Sequence, residues 1–278
     1  MARPLRVQIE NGIYHVVARG NERAPIFGGD TDRRDFLALL QRIRLRFGWY
    51  VLSYCLMDNH YHLLVQTPIP NLARGMQQLN SGYVQSFNRR HGRDGHLFQG
   101  RYKSPLILSE SHLFAAFRYI ALNPVDAALC NRPEDWRWSS HRALLGRGAY
   151  PAVDVRIALR LFDDDLATAQ RHYVALVEAE ETQLPTLGDA PVLGDREFVM
   201  HYAPDGPRDQ EISTRDWHIG RPGLAELLTS EAPNAIATAY RQHGYTLKQI
   251  AAHLGLHYST VSRRLRAWED ANADSGAV

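Results

Sequence analysis

Residues 11–18 (NGIYHVVA) set apolar side chains around a single histidine just after an Asn-Gly turn, and this pattern predicts a strand. From Asp30 to Phe47 the spacing lengthens. Phe36, Leu39, Leu40, Ile43 and Phe47 follow a 3.6-residue period, Asp30 or Thr31 stands where a cap belongs, and Gly48 comes directly after, so an amphipathic helix is predicted. Trp49 to Met57 and His60 to Thr67 read as two strands joined by Asp58-Asn59, a pair suited to a tight hairpin turn, with Pro68 closing the second. A second long helix is predicted from about Asn71 to Arg90, with Leu72, Met76, Leu79, Tyr83 and Phe87 on one stripe and Gly92 as its stop. Tyr102 to Leu108 reads as a further strand. Ser109 or Ser111 then caps a helix expected to end at Asn123, because Pro124 follows. The order β-α-β-β-α-β-α predicts an α+β fold: an antiparallel sheet with helices on one face, related to the ferredoxin-like split arrangement.

Beyond this region the pattern changes twice. Residues 147–232 read as an acidic helical linker, with helices expected around 154–180 and 194–203. Residues 233–278 read as an all-α module. Within it, YTLKQIAAHLGLHYSTVSRRLR (245–266) offers Thr246 as a cap for a first helix carrying Ile250 and Leu254. Gly255 makes the turn, and Ser259 or Thr260 opens a second helix with Val261 and Leu265. Small Ala251, then Gly255, then Val261 is the spacing that lets two helices cross closely in a helix-turn-helix. His257, Tyr258, Ser259, Thr260, Ser262, Arg263 and Arg264 would supply its groove and phosphate contacts to duplex DNA. No internal repeat or low-complexity tract interrupts the 278 residues.

Net charge changes the picture only when divided along the chain. The total is +2, yet residues 1–145 hold 19 Lys and Arg against 11 Asp and Glu, residues 146–232 hold 8 against 16, and residues 233–278 hold 5 against 3. A basic first half fits a polyanionic partner. With 45% hydrophobic residues the chain can bury a substantial core. No run approaches 18 apolar residues, and MARPLRVQIE lacks the apolar stretch of a secretory signal, so a cytoplasmic protein without a membrane partner is expected. Cys55 and Cys130 show no metal spacing and are expected to be reduced thiols.

Two places concentrate chemistry. In His60-Tyr61-His62, residues two apart on a strand project to the same side, so two neighbouring imidazoles face one way within an otherwise apolar run, Leu56-Met57 before and Leu63-Leu64-Val65 after. An unpartnered buried polar group costs about 1–3 kcal/mol, so a partner is expected: a shared divalent ion, or hydrogen bonds to backbone or carboxylates. The second place is the helix of Tyr119. At about 100° per residue, Leu113, Phe117 and Ile120 form its apolar stripe, whereas Tyr119 projects roughly 200° from Phe117. His112 and Asn123 fall within about 40° of Tyr119 on that wheel, and Ala115 and Ala116 leave room for an approaching group.

Four blocks occur in order: Met57-Asp58-Asn59-His60-Tyr61-His62-Leu63-Leu64-Val65, Leu97-Phe98-Gln99-Gly100-Arg101-Tyr102-Lys103, Arg118-Tyr119-Ile120-Ala121-Leu122-Asn123-Pro124-Val125 and Asp135-Trp136-Arg137-Trp138-Ser139-Ser140. Together they resemble the REP-associated tyrosine transposases, single-tyrosine HUH enzymes of the IS200-like group, over residues 5 to 146 or about half the chain. The resemblance implies an HUH domain across 1–146, with His60 and His62 as ligands of Mg²⁺ or Mn²⁺ and Tyr119 as the attacking nucleophile. It implies a third ligand one turn after the tyrosine, where Asn123 stands and relatives often carry Gln. It further implies a substrate of single-stranded hairpin DNA, cleaved through a 5′-phosphotyrosine link and rejoined by the freed 3′ hydroxyl. An ordinary phenol is protonated at neutral pH, so an ion that polarises the phosphate would assist it. Arg101, Lys103 and Arg118 are the candidate phosphate contacts, and Tyr61 or Trp49 the candidate stacking platforms. Two rival readings remain: a DNA-binding regulator that grips hairpins without cutting, and a replication or conjugation nuclease, which the lack of a helicase-like region disfavours. The chain is expected to act as a monomer or homodimer.

Overall fold

A computed structural model describes residues 7–148, 151–180, 184–185, 187, 192–193, 217–218, 224–228, 233–242, 245 and 247–273. In chain order the elements are β1 (Val7–Gln8), β2 (Gly12–Arg19), α1 (Asp30–Phe47), β3 (Tyr50–Leu56), β4 (His60–Thr67), α2 (Leu72–His91), β5 (Leu106–Ile107), α3 (Glu110–Asp126), α4 (His141–Leu144), α5 (Val155–Arg160), α6 (Leu166–Glu178), β6 (Val192–Leu193), β7 (Trp217–His218), α7 (Leu224–Leu227), α8 (Pro233–Ala237), α9 (Leu247–Leu254) and α10 (Tyr258–Ala273).

The main sheet runs β3-β4-β2-β5-β6, antiparallel except for the last pair, while β1 pairs in parallel with β7. The hairpin at Asp58-Asn59 forms as expected, and left-handed Gly48 and Gly92 (φ 66° and 58°) end α1 and α2. Helices cover both faces rather than one. Tyr14, Val16, Tyr61, Leu63 and Val65 pack with Phe36, Leu40, Met76, Leu79 and Tyr83 of α1 and α2. Leu52, Cys55 and Leu64 pack on the opposite side with Phe117 and Ile120 of α3 and Tyr173 of α6. The reason lies in β4, whose Leu63-Leu64-Val65 run is apolar on both sides and so needs cover twice.

The core does not stop at residue 146. α5 and α6 complete the second face, and β6 adds a strand beside β5, so much of what reads as an acidic linker belongs to the sheet's own core. Asp163-Asp164-Asp165 divides the helix expected over 154–180 into two, with Asp165 accepting from the Thr168 amide as the cap of α6. The helix expected at 194–203 lies outside the described residues. Other boundaries move for local reasons. Pro105 offers no amide, so regular pairing in 102–108 shrinks to Leu106–Ile107 plus a bridge between Val17 and Lys103. α3 passes through Pro124 for one short stretch, to Asp126, with Ala127 N–H donating to the Asn123 carbonyl.

The outer edge of β3 is sealed by the Trp136–Ser140 stretch and by Asp154. Leu56 N–H donates to the Trp138 carbonyl, Ser140 N–H to the Tyr54 carbonyl, and Val51 N–H to the Asp154 carboxylate, each at 2.9 Å. The edge is thereby closed to a further strand. Arg33 lies against the rings of Phe27, Trp136 and Trp138 and pairs with Asp58, which pins the hairpin turn to the same corner.

The C-terminal helices hold a cluster of their own, built from Leu228, Ile236, Tyr245, Ile250, Ala251, Val261 and Leu265. Gly255 (φ 65°) makes the turn, and Leu256 N–H donates to the Ala251 carbonyl. Thr246 lies outside the described residues. The second helix opens at Tyr258, one residue before Ser259, because the His257 ring accepts from the Ser259 amide and takes the capping role. Arg74 of α2 donates to the Tyr245 carbonyl at 3.0 Å and stacks on Tyr240, joining this cluster to the sheet domain. Among the described residues no helix is long and apolar enough to cross a membrane. Cys55 is buried and Cys130 half-buried, both as free thiols.

Candidate active site

The alternation of β4 sends Tyr61 into the α1/α2 core and turns His60 and His62 toward α3. Their imidazole centroids lie 4.9 Å apart. His62 is buried, and His60 half-buried. Burial lowers the pKa of both, strongly for His62, and Arg19 pushes in the same direction. Both rings are therefore neutral at physiological pH, with one bare nitrogen each.

Which nitrogen is bare follows from the partners. Asn59 directs its amide nitrogen at the Arg23 carbonyl (3.0 Å), leaving its Oδ1 2.7 Å from His60 Nδ1. An amide oxygen only accepts, so the His60 proton sits on Nδ1 and Nε2 carries a lone pair. That Nε2 lies 3.3 Å from Oδ1 of buried Asn123, another acceptor. His62 Nε2 is buried and has no hydrogen-bond partner among the described residues. The His60 lone pair thus faces the Asn123 carboxamide oxygen and the neighbouring His62 Nε2 is left without a partner, a situation that a cation would relieve. The described residues contain no cluster of three His, Cys, Asp or Glu, so any ion here would rely on Asn123 and on its other ligands for oxygen.

Tyr119 stands beside this group. Ser109 caps α3 by accepting from the His112 amide, Phe117 and Ile120 are fully buried, and Tyr119 on the far side is 41% exposed. Its ring meets His62 edge-on at 5.3 Å between centroids and His15 at 5.9 Å. The two sequence candidates, the histidine pair and the tyrosine, are brought together. His112 is not: its Nδ1 bonds to Ser109 Oγ at 2.7 Å, inside the cap.

A cleft of about 830 Å³ opens in front of Tyr119, with Arg19, Arg101, Lys103 and Arg118 on its walls. Arg101 and Lys103 are exposed. Arg118 lines the cleft but is spent on the carbonyls of Leu176 and Ala179, where a cation suits the C-terminus of α6. Tyr61 and Trp49 are core residues rather than stacking platforms. Tyr61 is fully buried and its hydroxyl donates to Asn80 at 2.6 Å, while Trp49 packs against Gly75 and its Nε1–H donates to Asn71 at 2.6 Å. Ser259 and Arg263 are exposed on α10, with Thr260 and Arg264 half-buried beside them.

Two site residues escape a reading of the chain by motif, His15 and Arg19. They alternate on β2 with Val17, which pairs with His62, and Arg19 pairs with His60, so both share the histidine face. The period-2 pattern His15, Val17, Arg19 was the available signal; the strand pairing that gives it meaning is not local.

The family profile for IS200-like transposases matches residues 8–123, and one for homeodomain-like domains matches residues 235–276. No curated protein matches the chain. A solved structure described as a REP-associated tyrosine transposase bound to a REP hairpin is 18% identical to it, over 56% of this chain and 93% of that one, with a TM-score of 0.46.

Proposed function

We propose that the chain, whose residues 8–123 match the family profile for IS200-like transposases, is a single-tyrosine strand transferase that cuts and rejoins single-stranded hairpin DNA. The observation that carries this reading is the exposed phenol of Tyr119 held against His62 at the mouth of a cleft walled by cations. Phosphate oxygens of the strand would meet Arg19, Arg101 and Lys103, leaving the scissile phosphorus in front of the phenol. Tyr119 Oη then forms a bond to phosphorus as the bond to the 3′ oxygen breaks. The phenolic proton leaves to solvent, which reaches this exposed side chain, and the 3′ oxygen takes one up. The 5′-phosphotyrosine link conserves the energy of the broken ester, so attack by a 3′ hydroxyl reverses the step.

His60, His62 and Asn123 fit a divalent cation, because His60 Nε2 faces the Asn123 Oδ1 acceptor at 3.3 Å and the buried Nε2 of neighbouring His62 has no partner among the described residues. The Asn123 oxygen suits Mg²⁺ or Mn²⁺, and because such hard cations prefer oxygen to imidazole, water and phosphate oxygens would have to complete the ligand set. When bound, such an ion polarises a non-bridging phosphate oxygen and stabilises the charge that develops there. The homeodomain-like module, with Ser259, Thr260, Arg263 and Arg264 on α10, would hold duplex DNA beside the hairpin. The test is cleavage of labelled hairpin oligonucleotides by chelated protein. Activity should vanish with chelator and return with Mn²⁺, and His60→Ala or His62→Ala should stay inactive while remaining folded. Full-rate cutting by chelated protein would refute the metal's part in this reading.

A further inference from the structure

We infer that His15 is a positioning residue, whose Nε2 accepts the Nδ1–H of His62 and so keeps the bare Nε2 of His62 turned toward the cation site. The inference rests on the reading that His60 and His62 hold a cation, and it adds a residue outside the histidine pair itself.

His15 Nε2 and His62 Nδ1 are 3.0 Å apart, with the rings stacked at 5.2 Å and 21°. Both side chains are buried, 5% and 3% exposed. Water therefore has little part in this contact, and one proton must lie between the two nitrogens. Only two arrangements exist for neutral rings. If His15 donates, the His62 proton sits on Nε2, a buried atom with no acceptor among the described residues. That arrangement strands a donor in the interior. If His62 donates, Nε2 is a lone pair, on a ring 4.9 Å from that of His60, whose own Nε2 lies 3.3 Å from Asn123 Oδ1. The second arrangement suits a ligand and the first forbids one.

His60 has a counterpart to this device in Asn59, whose Oδ1 at 2.7 Å receives the other ligand's Nδ1–H. Both imidazoles are thus presented through Nε2, each held from behind by an acceptor, the arrangement that orients histidine ligands generally. The acceptors differ from the usual carboxylate in being uncharged. Neither adds negative charge, so a bound cation would draw much of its affinity from the substrate phosphate.

The experiment uses the full-length, metal-free protein. The ¹⁵N spectra of its histidine rings should show the His62 proton on Nδ1; a proton on Nε2 would overturn the inference without any variant. Mn²⁺ is then titrated, with free ion counted by electron paramagnetic resonance. His15→Phe keeps an aromatic ring beside Tyr119 but removes the acceptor, and should weaken Mn²⁺ binding by about 10- to 100-fold. His15→Gln, which restores an acceptor oxygen, should recover most of the loss, a rescue that mere packing would not give. Equal binding by wild type and His15→Phe would sink the His15 role while leaving the cation site intact. A wild type that binds no more Mn²⁺ than His62→Ala would overturn the cation site and the His15 role together.

Discussion

Acid should loosen the scaffold behind Tyr119 through His141. This side chain is 4% exposed on α4, and its Nδ1 lies 2.7 Å from the hydroxyl of Tyr173 on α6, whose ring packs on Phe117 of the tyrosine helix. Burial lowers the His141 pKa to about 4, with Arg147 adding to the effect and Glu134 opposing it. Burial raises that of Tyr173, which keeps its proton and acts as the donor. An unfolded histidine titrates near 6.5. Between about 6.5 and about 4 the unfolded chain therefore binds a proton at this position that the folded chain refuses. Its stabilising contribution is complete above the unfolded value and is lost as pH falls toward the folded one. The slope is at most about 1.4 kcal/mol per pH unit and the total about 3 kcal/mol, a large part of the 5–15 kcal/mol typical of a domain. Urea unfolding of the metal-free protein at several pH values between 7.5 and 4 measures it. His141→Asn keeps an acceptor for Tyr173 but cannot titrate, so its stability should fall less steeply, by about one proton's worth of slope near pH 5. Parallel curves for wild type and variant would refute the reasoning.

Two further outcomes follow from charges placed by the structure. Arg19→Ala removes an exposed cation from the Tyr119 cleft and should weaken hairpin binding, lowering the logarithmic salt slope by about 0.7, as expected for one phosphate contact on a single strand; fluorescence anisotropy across salt concentrations reads it, and an unchanged slope would place Arg19 off the DNA path. Arg263→Ala with Arg264→Ala should lower the duplex salt slope by about 1.8, and a chain ending near Ala232 that keeps all its duplex affinity would assign the C-terminal helices another purpose.

The parts legible in the chain are those where local periodicity and local chemistry agree. α1 and α2 announce themselves by stripes ending in glycine, and the His60/His62 face and the outward turn of Tyr119 follow from strand and helix geometry alone. What was hidden depends on pairing between distant segments. The partnership of His15 with His62 spans 47 residues and exists only because β2 lies beside β4. Arg118 looked like a phosphate contact until α6 supplied two carbonyls for its guanidinium, 58 and 61 residues away. Tyr61 and Trp49 were ambiguous for a different reason: a buried aromatic with a polar handle and a stacking platform share one composition, and only Asn80 and Asn71 at their polar atoms distinguish them. The second layer of helices was foreshadowed by the unbroken apolar run of β4, although not which helices would form it.

Covalent attachment of Tyr119 to DNA is the central event of the proposed reaction. Tyr119→Phe keeps the ring and its edge-on contacts with His62 and His15 while deleting only the attacking oxygen, and the exposed position makes the loss inexpensive to the fold. Wild-type protein incubated with Mn²⁺ and hairpin oligonucleotides labelled on the 3′ side of the cut should give a labelled, slow-migrating species on a denaturing gel. The phenylalanine variant should bind the same hairpins with unchanged affinity and give none. An identical adduct from the variant would assign the attack to another residue, and tight binding by wild type with no adduct on any hairpin would leave a protein that grips DNA without cutting it.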